Sequence, residues 1–361
     1  MELGHDGAPH QHGRKMMRAL TLIFVAWCAT ALSHACSIPV FRYALDRWHA
    51  DPFALEISAG DAKDEAVARF LRNFTDSSPL NLAPSRLAED GKSRLIFPHA
   101  KDDAAPAWSG RLDGATLARL TDSPTRREIV KRILAGESGV WVLVESGLKS
   151  ADDRAAAALE KRLRYLEQVA QIPPIDPNDP TSQLGPGPAL RVKFSLLRIK
   201  AGDEAEKPFT AMLAGPNCYM ENANGPWLSL VFGRGRTLGA WSAEGFGDEQ
   251  IDEACLFLLG ACSCEVKRMN PGWDLLLNVD WKESLEALGF PPPPPAALQK
   301  VAAAPEPEKP KPETTAPETV TIAAASAPDP AKRFPSKPAA IAAAVLLVLG
   351  SAAAWRTFRK P

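Results

Sequence analysis

Two uncharged apolar runs, one near each end, constrain this chain more than anything between them. At the start, Arg14, Lys15 and Arg18 precede an apolar stretch over residues 19–32, and Ser33, His34 and Ala35 follow it. A charged region, a short apolar region and a small-residue cleavage site make a secretory signal over residues 1–35. Its apolar part, about 14 residues, is short for a membrane span. Residues 339–355 form a second apolar stretch. At 1.5 Å per residue it reaches roughly 26 Å, the low end for a crossing helix. Arg356, Arg359 and Lys360 stand directly behind it, and such a tail belongs on the cytoplasmic side. The expectation is a single-pass membrane protein. Its folded part is extracytoplasmic (periplasmic or extracellular), a transmembrane helix over 339–355 holds it to the membrane, and residues 356–361 are a cytoplasmic tail. The competing readings are an uncleaved signal anchor or lipidation at Cys36 for the first run, and a removable sorting signal for the second. Against lipidation, Ser33 occupies the place where a lipobox carries Leu.

The chain has 33 prolines, unevenly spread: residues 291–295 are a continuous proline run, and Pro, Ala, Glu, Lys and Thr dominate onward to Pro338. Such a composition cannot bury a core, so residues 291–338 read as an extended disordered stalk. What can fold is then about residues 36–290. A formal net charge of −1 gives no basic surface for nucleic acid. The partners expected are the membrane, through the C-terminal helix, and an unidentified protein at the envelope.

Periodicity supplies the elements of the folded part. Phe53, Leu55 and Ile57 alternate with Ala54 and Glu56, as in a half-buried strand, and Val67, Phe70, Leu71 and Phe74 recur at helical spacing. Residues 38–48 read as a helix and 93–97 as a short strand. Residues 116–134 read as a helix broken at Ser123–Pro124, where Ser123 can cap and Pro124 can occupy the first turn. Beyond Gly136 the pattern is clearer. Val140 to Val144 is continuously apolar, as in a strand covered on both faces. Residues 152–169 read as a helix, 190–199 as a strand, and 207–213 as a short helix. Residues 227–232 and 237–242 read as strands joined by Gly233-Arg234-Gly235-Arg236, a hairpin signal. Residues 248–259 read as a helix, and 275–279 as a last strand.

The order β-α-β-α-β-β-α over about residues 136–260, with Pro226 before Trp227-Leu228-Ser229-Leu230-Val231-Phe232-Gly233, resembles a thioredoxin-like domain. The resemblance implies an α/β fold and a cis proline at Pro226 facing the family's active site. It implies no redox activity, because Ser146-Gly147-Leu148-Lys149 stands where the family has Cys-x-x-Cys. On this reading residues 136–290 are a thioredoxin-like domain with a C-terminal extension. Residues 36–135 are an N-terminal α/β region open to being read as a second, degenerate copy. Its signs are Cys36-Ser37-Ile38-Pro39 opening a helix, and Ala105-Pro106-Ala107-Trp108 preceding a strand.

Cysteine is the residue type most open to chemistry. With the signal removed, Cys36, Cys218, Cys255, Cys262 and Cys264 remain, an odd number in an oxidising compartment. Cys262 and Cys264 can form a tight, reducible disulfide or offer two thiolates to Cu(I). They can also bridge elsewhere, for instance to Cys218, and Cys36 can serve as a relay. Of six histidines only His49 and His99 follow residue 36, which leaves no histidine for a triad or metal site in the second half. Both are expected to be surface or loop residues. Gly233 to Gly239 is no dinucleotide fingerprint, since a strand and not a helix follows it, and no cofactor is called for. The expected function is a membrane-anchored, non-catalytic thioredoxin-like interaction module. The alternatives are a thiol-disulfide oxidoreductase using Cys262 and Cys264, or a copper-binding chaperone using the same pair.

Overall fold

A computed structural model describes residues 37–288, apart from 88–90, 102–103, 176–178, 180–181, 218–219, 221–223 and 263–265. The expected signal, stalk, membrane helix and tail lie outside the described residues, as do Cys36, Cys218 and Cys264. Among the described residues no helix is long and apolar enough to cross a membrane.

The protein is a mixed α/β fold with two mixed sheets. In the first, β1 (Phe53–Ile57) pairs parallel with β2 (Leu82–Arg86) and antiparallel with β3 (Ser93–Ile96), which pairs antiparallel with β4 (Trp108–Gly110). The order is β2-β1-β3-β4. The crossover from β1 to β2 carries α2 (Glu65–Asn73). It begins where the Asp64 carboxylate accepts from the N–H groups of Ala66 and Val67 at 3.0 and 3.1 Å, satisfying donors that a helix start leaves open. Helices α3 (Gly114–Thr121) and α4 (Pro124–Leu134) follow, the second capped by Ser123 with Pro124 in its first turn, as expected at that break.

The second sheet is built on β5 (Gly139–Val144), buried along its whole length. It pairs parallel with β6 (Phe194–Ile199) and antiparallel with β7 (Trp227–Phe232); β8 (Arg236–Ser242) and β9 (Trp273–Asp274) continue antiparallel. The order is β6-β5-β7-β8-β9. Helix α5 (Lys149–Val169) connects β5 to β6, α6 (Lys207–Ala214) connects β6 to β7, and α7 (Asp248–Leu259) follows β8. The last helix is α8 (Trp281–Ala287). The first four strands of each sheet follow one plan: an inner strand, its parallel partner on one side, and two antiparallel strands on the other. A helix separates the second and third strands only in the second sheet.

The period of two in β5 divides two cores. Trp141 and Leu143 face a cluster with Leu159 and Leu163 of α5 and Ile251 and Leu258 of α7, whereas Val140, Val142 and Val144 join Phe209 and Met212 of α6 and the buried residues of β1. Helix α1 (Val40–Arg47) precedes β1, yet Val40, Phe41 and Ala44 belong to the Trp141 cluster. Pro39 pairs with Ala261, just beyond α7. The segment opening at Cys36 is therefore not the helix that follows a first strand; its apolar face is spent on the second sheet. The β7–β8 hairpin closes on α1: Gly233, at φ +56°, would place a Cβ 2.5 Å from that of Ala44, so only glycine fits. Arg234 in the same turn donates to the Leu45 and Asp46 carbonyls at 2.7 and 3.0 Å, satisfying orphan acceptors at the end of α1.

Two further expectations need correction, and one more is met. There is no cis peptide bond among the described residues, so the bond before Pro226 is trans; X–Pro bonds favour trans by about 0.5–1 kcal/mol unless packing opposes it. Pro106 precedes a strand, β4, as expected. Residues 275–279 form no ladder, because their N–H groups go elsewhere. Leu275 N donates to the Gly235 carbonyl, Leu277 N to Asn81 Oδ1 and Val279 N to the Pro79 carbonyl. This apolar segment stitches the two sheets together and adds no strand beyond β9.

Candidate functional site

The loop after β5 holds Ser146-Gly147-Leu148-Lys149. A thiol at the start of the following helix would be favoured as thiolate by the helix N-terminus. Here a carboxylate from the first turn of the helix reaches back to the loop instead. Asp152, in the first turn of α5 and 2% exposed, accepts from Ser146 N at 2.9 Å, Ser146 Oγ at 2.8 Å and Gly147 N at 3.1 Å. A buried carboxylate is tolerable only when its lone pairs are satisfied, and these three donors do so. Leu148 is left 59% exposed at the tip.

Beside this loop a cavity of about 610 Å³ opens at the C-terminal ends of β5 and β6. Val144 and Trp227 come from the second sheet, Phe97 and Ala107 from the first, and Ala211 from α6. Glu145, Lys200, Asp203, Glu204 and Lys207 supply charge. Apolar walls with a few placed polar groups are the usual make-up of a binding cleft.

The cysteines do not assemble a redox centre among the described residues. Cys262 is 1% exposed, and its N–H donates to the Ile38 carbonyl at 2.9 Å. Cys255 is a free thiol with no exposure. Burial pushes its pKa up, outweighing the Trp141 ring N–H beside it, so it stays protonated and unreactive at neutral pH. No group of His, Cys, Asp and Glu suited to a metal occurs among the described residues.

A second site was not legible in the sequence. His49, after α1, and His99, in the β3–β4 connection, meet at one cavity of about 470 Å³ with Arg47, Asp51, Lys267 and Arg268. Both histidines are exposed, as expected, but neither is isolated. His99 Nε2 lies 3.2 Å from Asp51 Oδ2, and Arg234 donates to His49 Nδ1 at 2.9 Å. Lys267 Nζ sits 2.8 Å from Asp51 Oδ2 and also pairs with Asp274. Arg236 completes the buried part, donating to Asp274 and to the carbonyls of Asn270, Pro271 and Gly272. Burial works to raise the Asp51 pKa, but Lys267 and then His99 hold it below the ordinary value. Burial first, then the charges of Arg234 and Lys267, hold His49 below its ordinary value. No spacing could have announced this cluster, because its members come from four separate segments.

No known family model, curated protein or solved structure matches the chain.

Proposed function

We propose that this chain is an extracytoplasmic, C-terminally anchored interaction module of thioredoxin-like plan that has given up thiol chemistry. Support for the plan is the order β6-β5-β7-β8 with β5 and β6 parallel, which has the element sequence of the Pro226 resemblance. The same order in β2-β1-β3-β4 supports reading the first half as a second, degenerate copy without its middle helix. The single observation that carries the loss of catalysis is Asp152: its carboxylate occupies the backbone donors that would otherwise stabilise a thiolate. Export and anchoring rest on the two terminal apolar runs. The docking place is the cavity beside Trp227, and its occupant is an apolar side chain of a partner protein, received by Phe97, Val144, Ala211 and Trp227. The inaccessible Cys262 gives no support to the oxidoreductase or copper alternatives.

The test has two arms. Purified full-length protein should not reduce a model disulfide. A photo-crosslinker placed at the exposed Lys207 should give one dominant protein adduct in the native envelope, and Ala211→Trp, which fills the cavity, should abolish it. Disulfide reduction by the purified protein, or an adduct indifferent to Ala211→Trp, would overturn the reading.

A further inference from the structure

The cavity at His49 and His99 plays no part in that proposal, and its chemistry is of another kind. Three of its lining residues, Arg47, Lys267 and Arg268, are cations and one, Asp51, is a carboxylate. Asp51 Oδ2 is already engaged by Lys267 and His99. Arg234 bonds to a lining residue, and Arg236 and Asp274 stand behind Lys267. Five cations are thus gathered against two carboxylates. Such an excess costs repulsion in a partly buried place, and an anion offsets it.

The donors are also set. Arginine can only donate, so its bond to His49 Nδ1 fixes the neutral ring with its hydrogen on Nε2. Arg268 is exposed and makes no hydrogen bond or ion pair among the described residues. Arg47 lies over the Tyr43 ring at 5.2 Å and gives one bond to the Gln183 carbonyl, which leaves most of its fork unused. His99 is held at φ +56°, a conformation uncommon outside glycine and concentrated at functional sites. The turn that holds it brings the ring to Asp51.

We propose that this cavity binds an oxyanion of the phosphate or sulfate class, with Arg268 and Arg47 as charged donors, His49 Nε2–H as neutral donor, and the Lys267–Asp51–His99 network as the support that orients them. Arginine forks suit tetrahedral oxyanions because two parallel N–H groups match two oxygens. The cavity is larger than one tetrahedral ion, so the group it takes is an ester borne on a larger molecule. That molecule is either a soluble monoester or a lipid headgroup diester.

The experiment is calorimetric titration of full-length protein, in nonionic detergent at low ionic strength, with inorganic phosphate, glycerol 3-phosphate and dimethyl phosphate. Chloride at equal ionic strength is the reference. Saturable binding of at least one phosphate at a single site is expected. Arg268→Glu should weaken it by about tenfold or more, the loss of roughly one charge-assisted bond. Its melting temperature in chloride should not change, since Arg268 supports nothing in the fold. Preference for the monoester assigns the source to a soluble ligand, and preference for the diester to a lipid headgroup. Phosphates no better than chloride, or binding that Arg268→Glu leaves intact, would overturn the proposal.

Discussion

Replacing Asp152 by Ala removes the acceptor for three donors at once: Ser146 N, Ser146 Oγ and Gly147 N. A hydrogen bond to a charged group contributes about 1.5–3 kcal/mol where the donor would otherwise be buried. Ser146 is only half-buried and Gly147 is exposed, so water takes over part of the loss. At about 1 kcal/mol per bond, the cost is about 3 kcal/mol. For a folded part of this size that corresponds to a fall in melting temperature of roughly 6–12 °C. Asp152→Asn keeps one carbonyl oxygen for Ser146 but turns an amide towards the Gly147 N–H, donor against donor. Its cost should be intermediate, about 1.5 kcal/mol. The assay is urea unfolding of wild type, both variants and Ser146→Ala, with the slope against urea held as a check on two-state behaviour. Combining Asp152→Ala with Ser146→Ala should cost less than the sum, because the two residues share bonds. A loss below about 1 kcal/mol for Asp152→Ala, or strict additivity, would refute the argument that this carboxylate locks the loop.

Two other outcomes follow from named residues. His49 titrates below its ordinary pKa, so as pH falls through 6.5 the unfolded chain takes up a proton first and stability declines. The groups around His49 are Arg234, Lys267, Asp51 and His99. His49→Gln should flatten the melting temperature against pH between about 7 and 5, and an unchanged profile would show that His49 is not the group responsible. Cys255 is fully buried among the described residues. Alkylation of the native protein is expected to leave Cys255 unlabelled, with reaction only after denaturation. A disulfide containing Cys255, or its rapid labelling in the native protein, would contradict the burial described above.

Elements whose evidence is local were legible in the sequence. The alternation of Phe53, Leu55 and Ile57, the continuous apolar run of β5, the Ser123–Pro124 break and the Gly-rich β7–β8 turn each rest on a few neighbouring residues, and each formed where expected. Elements that draw their stability from distant partners were not legible. Strand β2 carries a mid-strand proline and pairs only because β1 lies alongside it, and Leu275 and Leu277 spend their N–H groups on Gly235 and Asn81 instead of on a ladder. Helix α1 was recognised as a helix but assigned to the wrong half, because an apolar stripe says that a face is buried and not what buries it. The charged site is the extreme case. Asp51 N reaches Asp274 across 223 residues of sequence, and His49 reaches Arg234 across 185. Composition and periodicity indicated which segments of the folded part are helical, extended in strands or buried. Only the tertiary structure decided that two histidines, four arginines, a lysine and two aspartates share one place, because hydrogen bonds and charges act through space and leave no period in the chain.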